Sequence, residues 1–412
     1  MPHILIINQH GENRGDEAAM RAMLAAFAEA VPGVTFTLLY QFRDRSLRLK
    51  FKEPVEDLPI VLPATSYLRG GLYTLLKAVG IDARWVLPET LRQIMAAYDR
   101  ADLVVSAPGG PYFGDIYADH ELIHWWYVLL GRLSRKSLFL YAPSAGPFRK
   151  PWLNPIRRWM YRGFDLLVAR EEISATHLRA LLRNHMTVEV TADSAIQQSF
   201  APYPRTDYFR GARTKLGKCL LVAVSLNDYR YPGSADPEAM KDAYNLAMIE
   251  VLTRFAEQTH SHYLFLPQLY GSAHSDVPYL MAMGERLAAG VSWELVNPAF
   301  DSDMQRRLFG MCDLHIASRY HPAIFGHTAF VPGICIYYEH KALGFMQQLG
   351  LSQFAFDIRR LAAEEIIDAL ELVLESRAEL IQQLRRKVPM LRKDSARTTE
   401  LALSLLRPEV RA

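Results

Sequence analysis

HILII (His3–Ile7), NQHGENRG (Asn8–Gly15), DEAAMRAMLAAFAEA (Asp16–Ala30) and VTFTLLY (Val34–Tyr40) open the chain and decide its fold. The first is a short apolar run of the kind buried on both faces, and the second is a polar, glycine-bearing loop. The third carries Ala and Leu at helical spacing, with Asp16 and Glu17 where carboxylates favour a helix start. The fourth is again strand-like. Strand, helix, strand in that order predicts a parallel sheet.

The same alternation continues outward. DLVVSAPGG (Asp102–Gly110), SLFLYAPSAGPF (Ser137–Phe148), DLLVAR (Asp165–Arg170) and VEVTAD (Val188–Asp193) each read as a strand that ends in a turn. The pattern lapses in PYPRTDYFRGARTKLGK (Pro202–Lys218), where Pro, Gly and basic residues gather. A second series follows: CLLVAVSLN (Cys219–Asn227), SHYLFLPQ (Ser261–Gln268), WELVNP (Trp293–Pro298), DLHIASRYH (Asp313–His321) and VPGICIYY (Val331–Tyr338). Helices are expected near 238–258, 276–289 and 301–311, and one or two more after 361. The expected fold class is α/β, with two Rossmann-like domains and parallel sheets facing a cleft. The expected division is 1–205, 206–360 and a C-terminal helical segment 361–412. In such sheets ligands bind outside the carboxyl ends of the strands.

Half of the residues are hydrophobic and 22% are charged, which suits large packed cores. A net charge of +3 argues against nucleic acid as a partner. Three cysteines without short spacing give neither a disulfide framework nor a zinc signature, so no metal is expected. The N-terminal apolar run is too short for a signal-peptide core, and LIHWWYVLLGRL (Leu122–Leu133) is too short to span a bilayer. The expected location is the cytoplasm, with a place at the inner face of the membrane left open. The basic stretch Arg43, Arg45, Arg48, Lys50 and Lys52 reads more simply as a solvated loop than as a lipid contact.

Chemistry is sought at strand ends that carry residues a packed core would not choose. Gly15 and Asp16 follow the first strand, in a loop that is either a weak anion cradle or a tight turn with a helix cap. Gly109, Gly110 and Asp115 lie in PGGPYFGD, where paired glycines permit close approach to a ligand and Asp115 is a candidate base. Ser144 ends SAGPF. Arg170 directly follows an apolar strand, a costly place for a charge unless it is paired or binds a ligand. Its bland alternative is a salt bridge to Glu171 or Glu172. Asp193 is a similar outlier and a possible partner for a cation. Arg319 and His321 form the sharpest pair: strand alternation, if it runs that far, puts both on one side. An Arg beside a titratable His suits anion binding and proton transfer. Glu339 and Lys341 end the next strand, at a rim or on a solvated face. The pair Trp125 and Trp126 reads as core.

NRGDEA, the APGG loop, SAGPF, VAREEIS, TADSA and SRYHPAIFGHTAFVPGICIYYEHKALGF together resemble the polysaccharide pyruvyl transferase family over residues 1–350. The resemblance implies a GT-B-like fold, with an acceptor-side first domain and a donor-side second domain. It implies transfer of pyruvate from phosphoenolpyruvate to a sugar hydroxyl pair as a ketal, with no cofactor beyond that co-substrate. The acceptor would be a saccharide, lipid-linked in some family members. Arg170, Arg319 and His321 would be donor-site residues, with Asp16, Asp115 or Glu339 taking the hydroxyl protons. The family more often has Leu where Tyr320 stands. A nucleotide-sugar glycosyltransferase of the same architecture, and a non-catalytic sugar- or phosphate-binding protein, are the competing readings. Oligomeric state is not legible.

Overall fold

The computed structural model describes residues 1–41, 48–59, 62–109, 113–115, 118–271 and 274–406. Gly110, Arg43 and Arg45 lie outside the described residues. The first sheet holds seven parallel strands: β1 (His3–His10), β2 (Thr35–Gln41), β3 (Val55–Pro59), β4 (Leu103–Ser106), β5 (Leu138–Leu140), β6 (Leu166–Ala169) and β7 (Val188–Val190), in the order β3-β2-β1-β4-β5-β6-β7. The second holds six: β8 (Leu220–Ser225), β9 (Ser261–Phe265), β10 (Ser292–Leu295), β11 (Leu314–Ala317), β12 (Gly333–Tyr337) and β13 (Ala355–Asp357), in the order β10-β9-β8-β11-β12-β13. Every strand pairing in both sheets is parallel, with Ile4 opposite Leu103 and Leu314 opposite Val222.

In both sheets the strand order reverses beside the first strand: at β1/β4 in one and at β8/β11 in the other. Loops leaving the carboxyl ends there diverge to opposite faces and leave a place for a ligand. The strands read as unbroken apolar runs because helices cover both faces. In the first unit, one core face gathers Leu5, Ile7, Tyr73, Trp125, Tyr161 and Leu178. The other gathers Ile4, Ile6, Met23, Phe27, Phe139 and Tyr141. Trp125 is buried and stacks on Phe113, as expected of a core residue.

The chain forms two compact units. One comprises Met1–Glu12, Ala19–Gln197 and Lys393–Ala412, and the other Asn13–Ala18 and Gln198–Arg392. The sequence reading places the boundary at 205/206 and sets 361–412 apart. In the structure the last twenty residues belong with the first sheet: Thr398 and Thr399 meet the hydroxyls of Thr191 and Tyr141, at 2.6 and 2.5 Å. The turn at Asn13–Ala18 belongs with the second unit, because its hydrogen bonds go there. The C-terminal apolar pattern resolves into two helices, Ala363–Glu375 and Arg377–Leu403.

Two histidines are sealed in the second core. His315 on β11 and His327 on the helix Tyr320–Thr328 are fully buried, with ring centroids 4.4 Å apart and planes at 90°. Burial lowers the pKa of both, to about 4 for His327 and well below the ordinary value for His315, whose ring also faces His327. A histidine held neutral in the fold contributes fully above its unfolded pKa near 6.5, and that contribution is lost as pH falls toward its folded value. Between pH 6.5 and 5, His327 alone is expected to take about 1.5 kcal/mol from stability. Urea denaturation at the two pH values checks this. His327→Gln should flatten the dependence, and an unchanged slope would show that the acid response lies elsewhere.

Candidate functional site

In the second unit the site is built on helix N-termini. β11 ends at Ala317, Arg319 occupies the extended position before the helix Tyr320–Thr328, and His321 sits in that helix's first turn. The expected strand alternation therefore does not govern this pair. Arg319 and His321 are set by a strand-to-helix turn, since Pro322 is tolerated in a first helical turn but would break a sheet ladder. In the same way β12 stops at Tyr337, Glu339 precedes the helix His340–Leu349, and Lys341 lies within that helix.

Arg319 is fixed by a residue the sequence reading did not single out. Its Nη2 donates to Asp276 Oδ1 at 2.6 Å, and the other oxygen of Asp276 accepts the backbone N–H groups of Gln268 and Leu269, at 2.9 and 2.8 Å. Burial opposes the guanidinium charge, but the Asp276 carboxylate together with the phenols of Tyr338 and Tyr244 outweighs it and the pKa is raised. Nε of Arg319 is buried and has no hydrogen-bond partner among the described residues. A charged fork locked at one end and open at another is suited to an anionic ligand.

Gly15 meets His321. A Cβ built on Gly15 would lie 1.9 Å from Nδ1 of the imidazole, so only glycine lets the two elements close to this distance. The turn that carries it is pinned on both sides. Arg14 donates to Glu17 (2.7 Å) and to the carbonyl of Pro298 (2.9 Å), and its guanidinium lies 3.7 Å from the centre of the Tyr270 ring. The Arg14 N–H donates to the carbonyl of Gln268 at 3.0 Å, and the Gly15 N–H donates to the Asn13 side chain at 2.9 Å. Asp16 thus lies in the first turn of the helix Arg14–Ala30, as expected, and Gly15 lies inside that helix instead of ending the loop. Asp16 is buried.

Tyr338 ties the group together. Burial pushes its phenol up, and the charges of Lys341, Glu339, Arg319 and Asp16 all act on it. Its ring lies 4.8 Å from that of Tyr229, in the loop after β8. Glu339 and Lys341 form an ion pair at 2.6 Å with both side chains largely buried, not a solvated face. Tyr320 is buried, its ring 5.0 Å from that of His321. Among the described residues no group of three or more His, Cys, Asp or Glu side chains is placed to hold a metal ion.

The first unit carries a second cluster. Arg170 follows β6, with Nη1 donating to Asp193 (2.6 Å) and Nε to Ser144 (2.8 Å). Asp193 is thus a partner of Arg170, while the Glu171 carboxylate caps the helix Glu172–Leu182 through the Ser174 N–H at 2.7 Å. Ser144, Arg170 and Asp193 thus come together from three adjacent strand tips. Gly109 is buried just past β4. Asp115 departs from its expected role as a base. Its Oδ1 accepts from Arg157 at 2.7 Å, and its Oδ2 accepts the backbone N–H groups of Arg149 and Lys150. Arg157 is itself fully buried and forks onto Glu121. With both oxygens committed, Asp115 is a structural tie between two loops.

The model of the polysaccharide pyruvyl transferase family matches residues 13–340, a span that includes both arginine clusters and the Gly15–His321 contact. The chain belongs to that family. Among curated proteins it is similar to the amylovoran biosynthesis protein AmsJ of Erwinia amylovora, 24% identical over 93% of this chain and 95% of that one. In fold it is similar to a putative UDP-N-acetylglucosamine 2-epimerase from Listeria monocytogenes (TM-score 0.59, 14% identity, 96% of this chain and 94% of that one). It is also similar to HepE of Anabaena in complex with UDP-glucose (TM-score 0.57, 14% identity, 98% and 99%). These solved structures establish for this pyruvyl transferase family member a GT-B-like pair of parallel α/β units.

Because Gly15 is in ordinary helical conformation, alanine is tolerated there by the backbone and excluded only by His321. Gly15→Ala is expected to keep the fold, read by circular dichroism and melting temperature, while displacing the imidazole. A misplacement near 1 Å costs on the order of 10²-fold in rate. Activity within a few-fold of the parent would show that the position of His321 does not matter.

Proposed function

We propose that the protein transfers pyruvate from phosphoenolpyruvate to a pair of hydroxyls on a saccharide, releasing phosphate and closing a cyclic ketal. The observation that carries the reading is the Arg319–His321 pair at a helix N-terminus, with Arg319 held by Asp276 and His321 seated on Gly15. Phosphoenolpyruvate presents a carboxylate and a phosphate. A guanidinium locked by a carboxylate, with its Nε left without a partner among the described residues and placed at a helix N-terminus, suits such a group.

In the proposed sequence His321, protonated, gives its proton to the methylene carbon of the enol, leaving an oxocarbenium-like centre at the adjoining carbon. A sugar hydroxyl attacks that carbon and loses its proton to a carboxylate, for which Asp16, next to Gly15, is the assigned base. The carbon–oxygen bond to phosphate then breaks. A second hydroxyl closes the ring and its proton leaves with phosphate. Glu339 with Lys341 is assigned to hold the acceptor. Arg170, with Ser144 and Asp193, is kept as a second substrate-binding group on the strength of the VAREEIS motif.

The test is purified protein with phosphoenolpyruvate and a panel of hexosides, read by mass spectrometry for the pyruvyl ketal and by phosphate release. His321→Ala is expected to lower kcat by about 10²–10⁴ if the imidazole is the acid. Arg319→Lys keeps the charge but loses the fork, and should raise KM for phosphoenolpyruvate. Release of a nucleotide from a nucleotide sugar, with no phosphate from phosphoenolpyruvate, would overturn the reading in favour of a glycosyltransferase.

A further inference from the structure

The first unit carries a large apolar surface that its own fold leaves uncovered. On the helix Ala64–Ala78, Leu68, Leu72 and Leu75 recur at helical spacing and continue to Val79; Leu68 is 76% exposed, Leu75 70% and Val79 74%. Just beyond it, Trp85 is 81% exposed. On the helix Asn154–Tyr161 and the turn before it, Trp152 is 71% exposed, with Ile156 and Trp159 also outward. Monomeric proteins seldom leave this many large apolar groups in water together.

These side chains lie on the outer side of one helix layer. The inward residues Tyr73, Trp125 and Tyr161 of the helices Ala64–Ala78, Ala118–Leu133 and Asn154–Tyr161 share a single core face of the first sheet. The middle helix joins the outer two. Its Trp126 indole N–H donates to Thr74 at 2.9 Å on one side, and its Glu121 binds Arg157 on the other. Leu122 of that middle helix is outward as well.

In the two stretches that carry most of these side chains the charge has one sign, and the acids that flank Trp85, Asp82 and Glu89, are paired with Arg84 and Arg92. Arg69, Arg149 and Arg162 are exposed, with Lys150 and Arg158 half-buried, and neither the stretch 62–80 nor 145–163 holds an acidic residue. Arg132 lies 4.6 Å from the centre of the Trp159 ring. Tryptophans and leucines interleaved with cations form the pattern that settles at a bilayer interface, rings at headgroup depth and cations on anionic lipid. A second copy of this chain fits poorly, because a two-fold contact would set arginines against arginines.

We infer that the outer face of this helix layer docks on an anionic membrane surface. Of the basic stretch that the sequence offers as a lipid contact, Arg48 is already paired with Asp57 at 2.9 Å. The docking stands on surface chemistry alone and does not depend on the pyruvyl-transfer reading.

The experiment is co-sedimentation of the full chain with extruded vesicles of phosphatidylcholine, with and without phosphatidylglycerol. Binding is expected with phosphatidylglycerol, weaker without it, and falling as salt rises. Leu72→Glu should lower partitioning by about tenfold or more. Trp152→Ala should act in the same direction, and provides a second reading should Leu72→Glu fold poorly. The double variant Arg149→Glu, Arg162→Glu should lose the preference for phosphatidylglycerol. Pyruvyl transfer to a soluble hexoside is expected unchanged in Leu72→Glu, so membrane binding and catalysis are read separately. The inference is overturned if the parent stays in solution with phosphatidylglycerol vesicles, or if all three variants bind as the parent does. It is also overturned if gel filtration shows a dimer that Leu72→Glu dissociates, which would make a second copy the occupant.

Discussion

A guanidinium held at a strand tip by a buried carboxylate is the interaction around which the candidate cluster of each unit is built. Asp276 holds Arg319, and Asp193 holds Arg170, both at 2.6 Å and both with almost no solvent on the acid. Each Asp spends its other oxygen on backbone N–H groups: Gln268 and Leu269 for Asp276, Ala195 for Asp193. A buried charge pair of this type contributes little net stability, since desolvation offsets attraction, but removing one partner costs about 3–5 kcal/mol. Its use is geometric. The arginine loses its rotamer freedom during folding and presents a fixed fork to whatever arrives.

The parallel sheets explain why such a fork belongs at these places. Strand order reverses at β8/β11 in the second sheet, and Arg319 leaves β11 at that point. The chain then turns into a helix whose first N–H groups have no partners within the helix. The helix Arg14–Ala30 brings its own N-terminus to the same place, with Gly15 against His321. Positive helix ends favour an anion and disfavour a second cation. The acids nearby, Asp16 and Glu339, set the balance: Glu339 is matched by Lys341, while Asp16 sits beside the phenol of Tyr338.

Much of this was legible in the sequence, and the parts that were not have physical reasons. Apolar runs of strand length alternating with helical spacing reveal a parallel sheet, because burial on both faces leaves no polar alternation to confuse the signal. Strand-end outliers such as Arg170, Asp193, Arg319 and His321 stand out because a charge is costly there. Asp276 could not be found this way. It lies 43 residues from Arg319, at the start of a helix where an acid reads as a cap, and only the fold joins them. Asp115 misled for the opposite reason: a carboxylate in a glycine-rich loop reads as a free base, yet the cation that occupies it, Arg157, comes from a helix 42 residues away. Pro322 did carry the signal that the strand had ended before His321, since its ring suits a first helical turn.

The C-terminal residues, silent as chemistry, decide which surface of the first unit is left open. The segment from Lys393 packs on the core face of Ile4, Phe27 and Tyr141, and it does so through hydroxyls as well as leucines. Ser395 donates to the carbonyl of Asp193 at 2.8 Å, directly behind the carboxylate that holds Arg170. The helix cover on that side therefore also braces the cluster of Ser144, Arg170 and Asp193. On the other face the helices bury Tyr73, Trp125 and Tyr161 inward, and nothing in the described chain covers their outer leucines and tryptophans. An amphipathic helix is stabilised by one apolar stripe, so a second stripe on its outer side gives the fold nothing and exposes it to aggregation. Its presence on the same layer as an acid-free set of arginines is better explained by a surface outside the protein than by the protein's own stability.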